Sequence, residues 1–310
     1  IWGSFIDISL GGNSLENNYA NLETSASNIY VKGTLPLLNP LSKWTGGFEW
    51  SQSKNKNVFP NKWSDSLFNA SLNYERAHFD GWIGHQLFNK PWVNSNELYK
   101  HFIQYRYLNN QFKERPNNYL LQIDKNYQNV IAHLFSYTIF KQKIIRTQYL
   151  YGFGRNEDLP TGNSMTMTAG KYNRENDQLP YLGITLESSA LLKKEGFKHL
   201  TLAIGSSYKN KEILDFKLLA NVEKISKLYY LESGYKYRSI FNFSFAQTLK
   251  NRFNDALLIN SIYGIPQLSK ERIKGGTRLS ANWESIWYNA NTFYGFKQTP
   301  FIFANITYIR

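Results

Sequence analysis

Residues 149–172, YLYGFGRNEDLPTGNSMTMTAGKY, decide the fold. In the first arm, Tyr149, Tyr151 and Phe153 fall on one face of an extended strand. The second arm alternates apolar with small polar side chains: Met165, Met167 and Ala169 on one face, and Ser164, Thr166 and Thr168 on the other. Because a helix does not separate the two classes at a period of two, each arm is predicted to be a β-strand.

The segment between the two arms is predicted to be a turn. Its charged and turn-forming residues are Arg155, Glu157, Asp158, Pro160 and Gly162. Proline lacks a backbone N–H and glycine tolerates positive φ, so such a segment ends one strand and starts the next. Adjacent carboxylates on a turn rarely converge on one atom. Glu157 and Asp158 are therefore interpreted as a turn cap or as partners of Arg155, and not as an acid–base pair.

The same alternation recurs along the chain and predicts an all-β fold. It is clearest at residues 66–76, where Phe68, Ala70, Leu72 and Tyr74 alternate with polar side chains. Further strands are predicted at residues 79–88, 98–108, 119–125, 129–140, 143–153, 181–190, 200–208, 213–222, 228–237, 240–249, 255–262, 277–285, 287–294 and 300–309. No linker or composition shift divides the chain, which is predicted to be one domain, residues 1–310, of about sixteen antiparallel strands.

The composition limits the class of protein and its partners. Aromatic residues make up 16%, cysteine is absent, the net charge is +13 and the mean hydropathy is −0.48. The absence of cysteine excludes a disulfide framework, and no run of about 18 apolar residues predicts a transmembrane helix. The basic balance indicates a polyanionic neighbour: nucleic acid, anionic lipid or lipopolysaccharide phosphate.

A transmembrane β-barrel accounts for these features better than a large all-β soluble domain, which is the alternative. In a barrel only alternate residues face lipid, so low hydropathy with many aromatics is typical. Closure also removes strand edges, and charged residues such as Arg278 and Glu284 suit a hydrated interior. The aromatic residues predicted to form an interfacial girdle near the strand ends are Trp44, Trp63, Trp82, Trp92, Tyr149, Tyr151, Trp283 and Trp287.

The sequence does not indicate catalytic chemistry. The five histidines are dispersed without metal-ligand spacing and are interpreted as lumen or interface residues: His78, His85, His101, His133 and His199. No glycine-rich phosphate loop opens a helix, and no serine is singled out as a nucleophile. We expect no catalytic residue, no metal and no cofactor. Basic residues interleaved with aromatics at 99–106 and 235–238 suit lumen-facing charge or a headgroup rim better than nucleic acid.

Residues 259–308 resemble a known family. The stretch INSIYGIPQLSKERIKGGTRLSANWESIWYNANTFYGFKQTPFIFANITY is similar to the late barrel of the outer-membrane protein assembly and two-partner-secretion superfamily, the BamA-like barrels. GFGRNEDLPTG, at 152–162, looks like a version found in Bacteroidetes members, and DGWIG at 80–84 fits the same pattern. The resemblance implies a barrel of about sixteen strands that inserts barrels into the outer membrane or exports polypeptides without ATP.

The resemblance also implies a loop that folds into the lumen. The family's Val-Arg-Gly-aromatic motif matches Ile273, Lys274, Gly275 and Gly276. Its arginine meets acidic residues on the following inner strands, where this chain has Glu284 and, in place of aspartate, Asn305; Arg278 lies on the same inner wall. Lysine lacks the planar fork that binds a carboxylate in bidentate fashion. The expectation is a weakened loop in which Lys274 and Glu284 pair.

The expected function is polypeptide insertion or translocation in the bacterial outer membrane, and not an enzymatic activity. The alternatives are a degenerate barrel that serves as a structural subunit or anchor of a larger complex, or the barrel of an enzyme whose catalytic domain is absent here. Expected partners are outer-membrane lipid and lipopolysaccharide, a polypeptide substrate or other complex subunits, and no nucleic acid. No periplasmic repeat domain is recognised, and the barrel is expected to be incomplete at one or both ends.

Overall fold

The chain folds as antiparallel β-structure. The structure is a computed structural model that describes residues 6–16, 24–35, 43–55, 73–87, 99–116, 127–150, 152, 154–175, 177–192, 196–232, 234–250, 256–268, 273–289 and 292–310. These ranges contain eighteen strands and no α-helix, which confirms the all-β antiparallel prediction. Accordingly, none of the described ranges contains a helix of the length and apolarity needed to cross a bilayer.

The strands fall into a long and a short class. The long strands are β1 (Asp7–Glu16), β2 (Thr24–Leu35), β3 (Trp44–Asn55), β4 (Tyr74–Gln86), β5 (Lys100–Glu114), β6 (Val130–Gln148), β7 (Asn156–Arg174), β8 (Asp177–Leu192), β9 (Gly196–Lys209), β10 (Glu212–Ile225), β12 (Tyr235–Leu249), β15 (Thr277–Asn289) and β18 (Phe301–Ile309). The two-residue strands are β11 (Tyr229–Tyr230), β13 (Leu257–Leu258), β14 (Lys274–Gly275), β16 (Thr292–Phe293) and β17 (Phe296–Lys297).

The long strands form one sheet in chain order, from β1 to β18, and β11 joins it at β12 as the fourteenth strand. Each strand is antiparallel to its neighbour, so β1 and β18 run in the same direction. Within the described residues, β1 pairs only with β2 and β18 only with β15, so the sheet is open between them. The pairs β13–β14 and β16–β17 form two small separate sheets.

The register across the sheet separates apolar from polar side chains. On β12 and β15, Phe241 lies opposite Trp283, whereas the next residues, Asn242 and Asn282, lie opposite each other. Because directly opposed residues project to the same side, the sheet has an apolar face and a polar face. Phe241 is 53% exposed, so the described residues leave this part of the apolar face largely uncovered.

The two faces are continuous over the long strands. Members of the apolar face are Leu10, Val31, Phe48, Ile83, Ile103, Phe135, Met167, Ile184, Ile204, Leu218, Phe243, Leu279 and Ile306. Members of the polar face are Lys32, Glu49, Asp80, Arg106, Thr138, Thr166, Glu187, Thr201, Asn221, Ser244, Ser280 and Thr307.

The turn predicted at Arg155–Gly162 is wrong. The chain bends at Tyr149, Leu150, Gly152 and Gly154, and β7 begins at Asn156 and continues through Pro160 and Gly162. The strand tolerates Pro160 because β8 pairs with β7 only from Gly162 onward, which leaves this part of β7 bonded on the β6 side alone. Gly162 has φ +137°, where L side chains are strained.

Other differences arise because the sequence pattern divides long strands. Residues 130–148 form the single strand β6, although Lys141, Gln142 and Lys143 interrupt the alternation. Likewise, β15 spans the two strands expected at 277–285 and 287–294 and ends at Asn289. The strand expected at 255–262 is reduced to Leu257–Leu258. Residues 66–72 and 119–125 lie outside the described residues.

We predict that Gly162→Ala lowers the free energy of unfolding by about 1–3 kcal/mol. An added Cβ would lie 1.9 Å from the backbone oxygen of Lys141, and alanine disfavours φ +137°. Gly12→Ala is the control, because its added Cβ meets nothing closer than 3.4 Å. Urea unfolding followed by tryptophan fluorescence measures both variants. Equal midpoints for the two variants would show that β7 is not strained at Gly162.

Candidate functional site on the polar face

Two segments fold across the polar face. The pairing of β6 with β5 ends at Phe140, and the pairing of β7 with β8 starts at Gly162. Residues 141–161, called the hairpin tip, therefore extend beyond both neighbours. The second segment, residues 256–265, is called the covering segment; it contains β13 and turns back toward β14.

The hairpin tip forms a buried apolar cluster with the polar face. Leu150 and Leu159 from the tip pack against Phe197, Ile225 and Ile240. The last three lie directly opposite one another on β9, β10 and β12. Since Leu150 is 2% and Ile225 0% exposed, this end of the polar face is closed off from solvent.

Arg238 holds the backbone of the hairpin tip. Its Nη2 donates to the carbonyl oxygen of Gln148 at 3.1 Å, and its Nη1 donates to that of Ser226 at 3.0 Å. On β15, the hydroxyl of Tyr288 donates to the carbonyl of Tyr149 at 3.3 Å. Because β8, β9 and β10 separate β7 from β12, contacts of the tip with β12 and β15 require the sheet to curl with its polar face inside.

The carboxylates of the sequence motif have separate roles in the tip. Oε2 of Glu157 accepts a hydrogen bond from the backbone N–H of Leu150 at 2.7 Å, which fixes the bend before β7. Asp158 pairs with Arg146 at 3.2 Å, with both side chains largely exposed, so this ion pair contributes little stability. Glu157 thus bonds to the backbone of the bend, and the basic partner of Asp158 is Arg146, where the sequence suggested Arg155.

Arg278 holds the covering segment. It is 3% exposed, and its Nη1 donates to the carbonyl oxygen of Leu258 at 2.8 Å and to the hydroxyl of Ser261. Leu257 and Leu258 pair in turn with Gly275 and Lys274, two residues of the sequence motif. A cavity of about 440 Å³ lies between the covering segment and the sheet and is lined by Lys217, Thr248, Tyr263 and Arg278.

The expected pair of Lys274 and Glu284 does not form. The side chain of Lys274 is exposed, and no ion pair joins it to Glu284 within the described residues. Glu284 lies on β15 opposite Ile240 and Phe303, six residues beyond Arg278. At about 3.3 Å per residue, Glu284 lies about 20 Å along β15 from Arg278. Arg278 bonds to Leu258, the residue that pairs with Lys274, so Glu284 is remote from that segment. Asn305 lies opposite Asn282 on the same face.

The glycines of the motif permit close approach of the chain. An added Cβ at Gly275 would lie 2.3 Å from the backbone oxygen of Arg310. At Gly276 the nearest atom would be 3.4 Å away, so that position is less constrained. Ile273 accepts a hydrogen bond through its carbonyl from the N–H of Ile259 at 3.1 Å. The glycines of the motif therefore allow close approach of the backbone. The cation that holds the covering segment is Arg278 of β15.

A charged cluster occupies the polar face of β2–β5. Arg106 forms a bidentate pair with Asp80, in which Nε donates to Oδ1 at 2.8 Å and Nη2 donates to Oδ2. Lys32 and Glu49 line the same hollow of about 250 Å³. The two cations and two anions balance, so this part of the face is polar without a net charge.

The histidines lie on both faces. His78 and His199 are on the polar face, whereas His85, His101 and His133 are on the apolar face near strand ends. His199 Nδ1 lies 2.7 Å from Ser189 Oγ, and its Nε2 lies 3.1 Å from Thr201 Oγ1. A Ser–His pair is part of a hydrolase triad, but a threonine hydroxyl carries no charge to stabilise an imidazolium. No three acidic or histidine side chains in the described ranges form a metal site.

The aromatic residues expected at strand ends divide into three groups. Trp44 and Trp287 lie near ends of the apolar face, with Trp44 against His85 at 4.3 Å and Trp287 against Tyr237 at 5.4 Å. Trp283 is on the apolar face in the middle of β15, Trp82 is on the polar face, and Tyr149 is in the hairpin tip. Trp63, Trp92 and Tyr151 lie outside the described residues.

Sequence reasoning missed Arg238 as an anchor. Its alternation with Asn242 and Ser244 along β12 assigns it to the polar face. Its partners are backbone carbonyls, which have no residue-specific signature, so the pattern could not identify them. Comparison of the chain with protein-family models, with curated proteins and with solved structures gives no match.

We predict that Arg278→Met increases chymotryptic cleavage after Tyr263 about tenfold or more. The variant loses the two hydrogen bonds that Arg278 donates to the covering segment. Each buried group left unsatisfied costs about 1–3 kcal/mol, which is enough to raise the open population of the segment about tenfold. Lys274→Met is the matched control and should leave the rate unchanged, because the Lys274 side chain is exposed. Faster cleavage in the Lys274 variant alone would identify Lys274, and not Arg278, as the anchor.

Proposed function

We propose that the chain is the membrane-spanning β-barrel of a bacterial outer-membrane protein. The observation that carries this proposal is the continuous, exposed apolar face. Phe135 is 62%, Leu182 55% and Phe243 49% exposed, and they lie on different strands of that face. Soluble proteins rarely expose contiguous apolar patches larger than a few hundred Å², whereas a lipid-facing barrel wall requires one.

The curl of the sheet supports a barrel with the polar face inside. The hairpin tip crosses that face and bonds to β12 and β15. Water is absent from the bilayer core, so the edges of a spanning sheet must be paired. β1 and β18 each have one partner in the described sheet. A closed barrel of about sixteen strands would pair the free backbone edge of both.

The first candidate activity is insertion or export of polypeptides across the outer membrane. It is supported by the resemblance of residues 259–308 to the BamA-like barrels and by the two single-partner edges, since an unpaired edge binds an extended strand through its backbone. No step of this activity needs a cofactor or ATP.

The second candidate is a structural barrel that anchors a larger outer-membrane complex. Two buried arginines, Arg238 and Arg278, fix the hairpin tip and the covering segment over the polar face. Segments tied down by buried charge-assisted hydrogen bonds do not move easily, because each broken bond exposes an unsatisfied group. This observation favours a filled interior over a gated one.

We predict that the chain behaves as an integral membrane barrel. It should enter the membrane fraction, resist extraction with carbonate or urea, and dissolve in detergent. The unboiled chain should migrate differently from the boiled chain on a denaturing gel, because a closed barrel resists unfolding by detergent. A periplasmic soluble protein expressed in parallel is the control. Recovery of the folded chain in the soluble fraction would overturn the membrane proposal.

Depletion of the protein in its own host separates a general insertion activity from a dedicated exporter or an anchor. For an insertion activity, quantitation of outer-membrane proteins should show a broad fall in other barrels, by about twofold or more, together with periplasmic stress. For a dedicated exporter or an anchor, one protein or a few should fall and the other barrels should stay constant. Unchanged levels of every outer-membrane protein would contradict both candidates.

A further inference from the structure

Two lysines face each other on the apolar face. Lys198 on β9 lies directly opposite Lys224 on β10, in register with the apolar pairs Leu200–Val222 and Leu202–Ala220. Both lysines are exposed. Directly opposed side chains have Cβ atoms about 4.5–5.5 Å apart, and like charges at that separation destabilise a sheet.

Among the residues that the structure describes, no carboxylate neutralises this pair. On the neighbouring strands, Lys198 lies beside Ala190 of β8 and Lys224 beside Phe241 of β12. Glu223 projects to the other face, opposite His199. No ion pair involves Lys198 or Lys224 within the described ranges. The two positive charges thus face outward without an anion from the described part of the chain.

The lysine pair lies at a boundary between apolar and aromatic surface. Toward the middle of the strands, Leu202 is 39% and Ile204 48% exposed. Toward the strand ends, Lys227 lies 4.5 Å from the ring centroid of Tyr229, which contacts Tyr237 at 5.9 Å. Cations and tyrosines flanking an apolar band are typical of the headgroup level of a bilayer.

We propose that Lys198 and Lys224 bind the phosphate of an anionic membrane lipid, whose acyl chains run along Leu202 and Ile204. This inference rests on the proposed membrane location. A membrane lipid fits better than free phosphate because the cations continue directly into the exposed apolar face. A lipid phosphate contacts both lysines while its chains cover that face. Long lysine stems reach the headgroup level from positions within the apolar band.

The test uses the full chain in neutral detergent micelles and measures retained lipid by native mass spectrometry. The probes are dioleoylphosphatidylglycerol, dioleoylphosphatidylcholine and inorganic phosphate. The wild-type chain should retain phosphatidylglycerol about tenfold better than phosphatidylcholine, as expected for two lysines near a membrane surface. Lys198→Gln with Lys224→Gln should reduce this preference to about twofold or less. Both positions are exposed and like-charged, so the folded state should persist.

Two controls separate charge from position. Lys198→Arg with Lys224→Arg should keep the preference. Lys32→Gln with Lys217→Gln makes the same charge change on the polar face and should also keep it. Any of three results would overturn the lipid site. These are equal retention of both lipids by the wild type, an unchanged preference in the double glutamine variant, and competition by millimolar inorganic phosphate. A chain that inserts into vesicles yet shows no lipid preference refutes this site alone, whereas a chain that fails to insert into any vesicle refutes the proposed function as well.

Discussion

An antiparallel ladder places each residue on the same side of the sheet as the residue directly opposite, and the rest of this structure depends on that constraint. Phe243 opposite Ala281 and Ser244 opposite Ser280 are successive pairs on β12 and β15 with opposite polarity. A slip of one residue would move phenylalanines to the polar face and asparagines to the apolar face. The difference in polarity between the faces thus selects one register for each pair of strands. The register of one pair fixes which side chains of the next strand face the polar side.

The same constraint brings the two buried arginines to one face and sets their separation. Arg238 lies opposite Ile286 and Arg278 lies opposite Ala246, so they are eight residues apart along the ladder, or about 26 Å. Each donates to a backbone carbonyl of a segment that crosses the polar face. A planar guanidinium with several donors suits this role, because it can bond to more than one acceptor in a buried position. Near each end of the polar face, a buried arginine therefore holds the segment that covers it through a hydrogen bond to a backbone carbonyl.

The sequence indicates the local alternation well and the long-range contacts poorly. The polarity of residues 164–169 predicts the faces of β7 correctly, since side-chain direction depends only on the extended backbone. The pattern misplaces the turn because Pro160 and Gly162 usually signal chain reversal, and their tolerance here depends on where β8 stops pairing. The sequence places Arg278 on the inner wall but points to Lys274 as the cation that anchors the loop. The choice between them depends on the register of β13 with β14, and two-residue strands leave no periodic pattern.

The direction of the edge strands limits how the sheet can close. Thirteen strands follow one another with antiparallel pairing, so β1 and β18 are parallel to each other. Direct pairing of these edges would introduce one parallel ladder, whereas an entirely antiparallel barrel needs an odd number of additional strands. A barrel of about sixteen strands meets this condition, because three more are required. Consecutive strands of the described path already pair with each other, so any strand added in such a barrel would join at β1 or β18. In the proposed barrel, the same edge chemistry would serve both closure and the binding of an incoming strand.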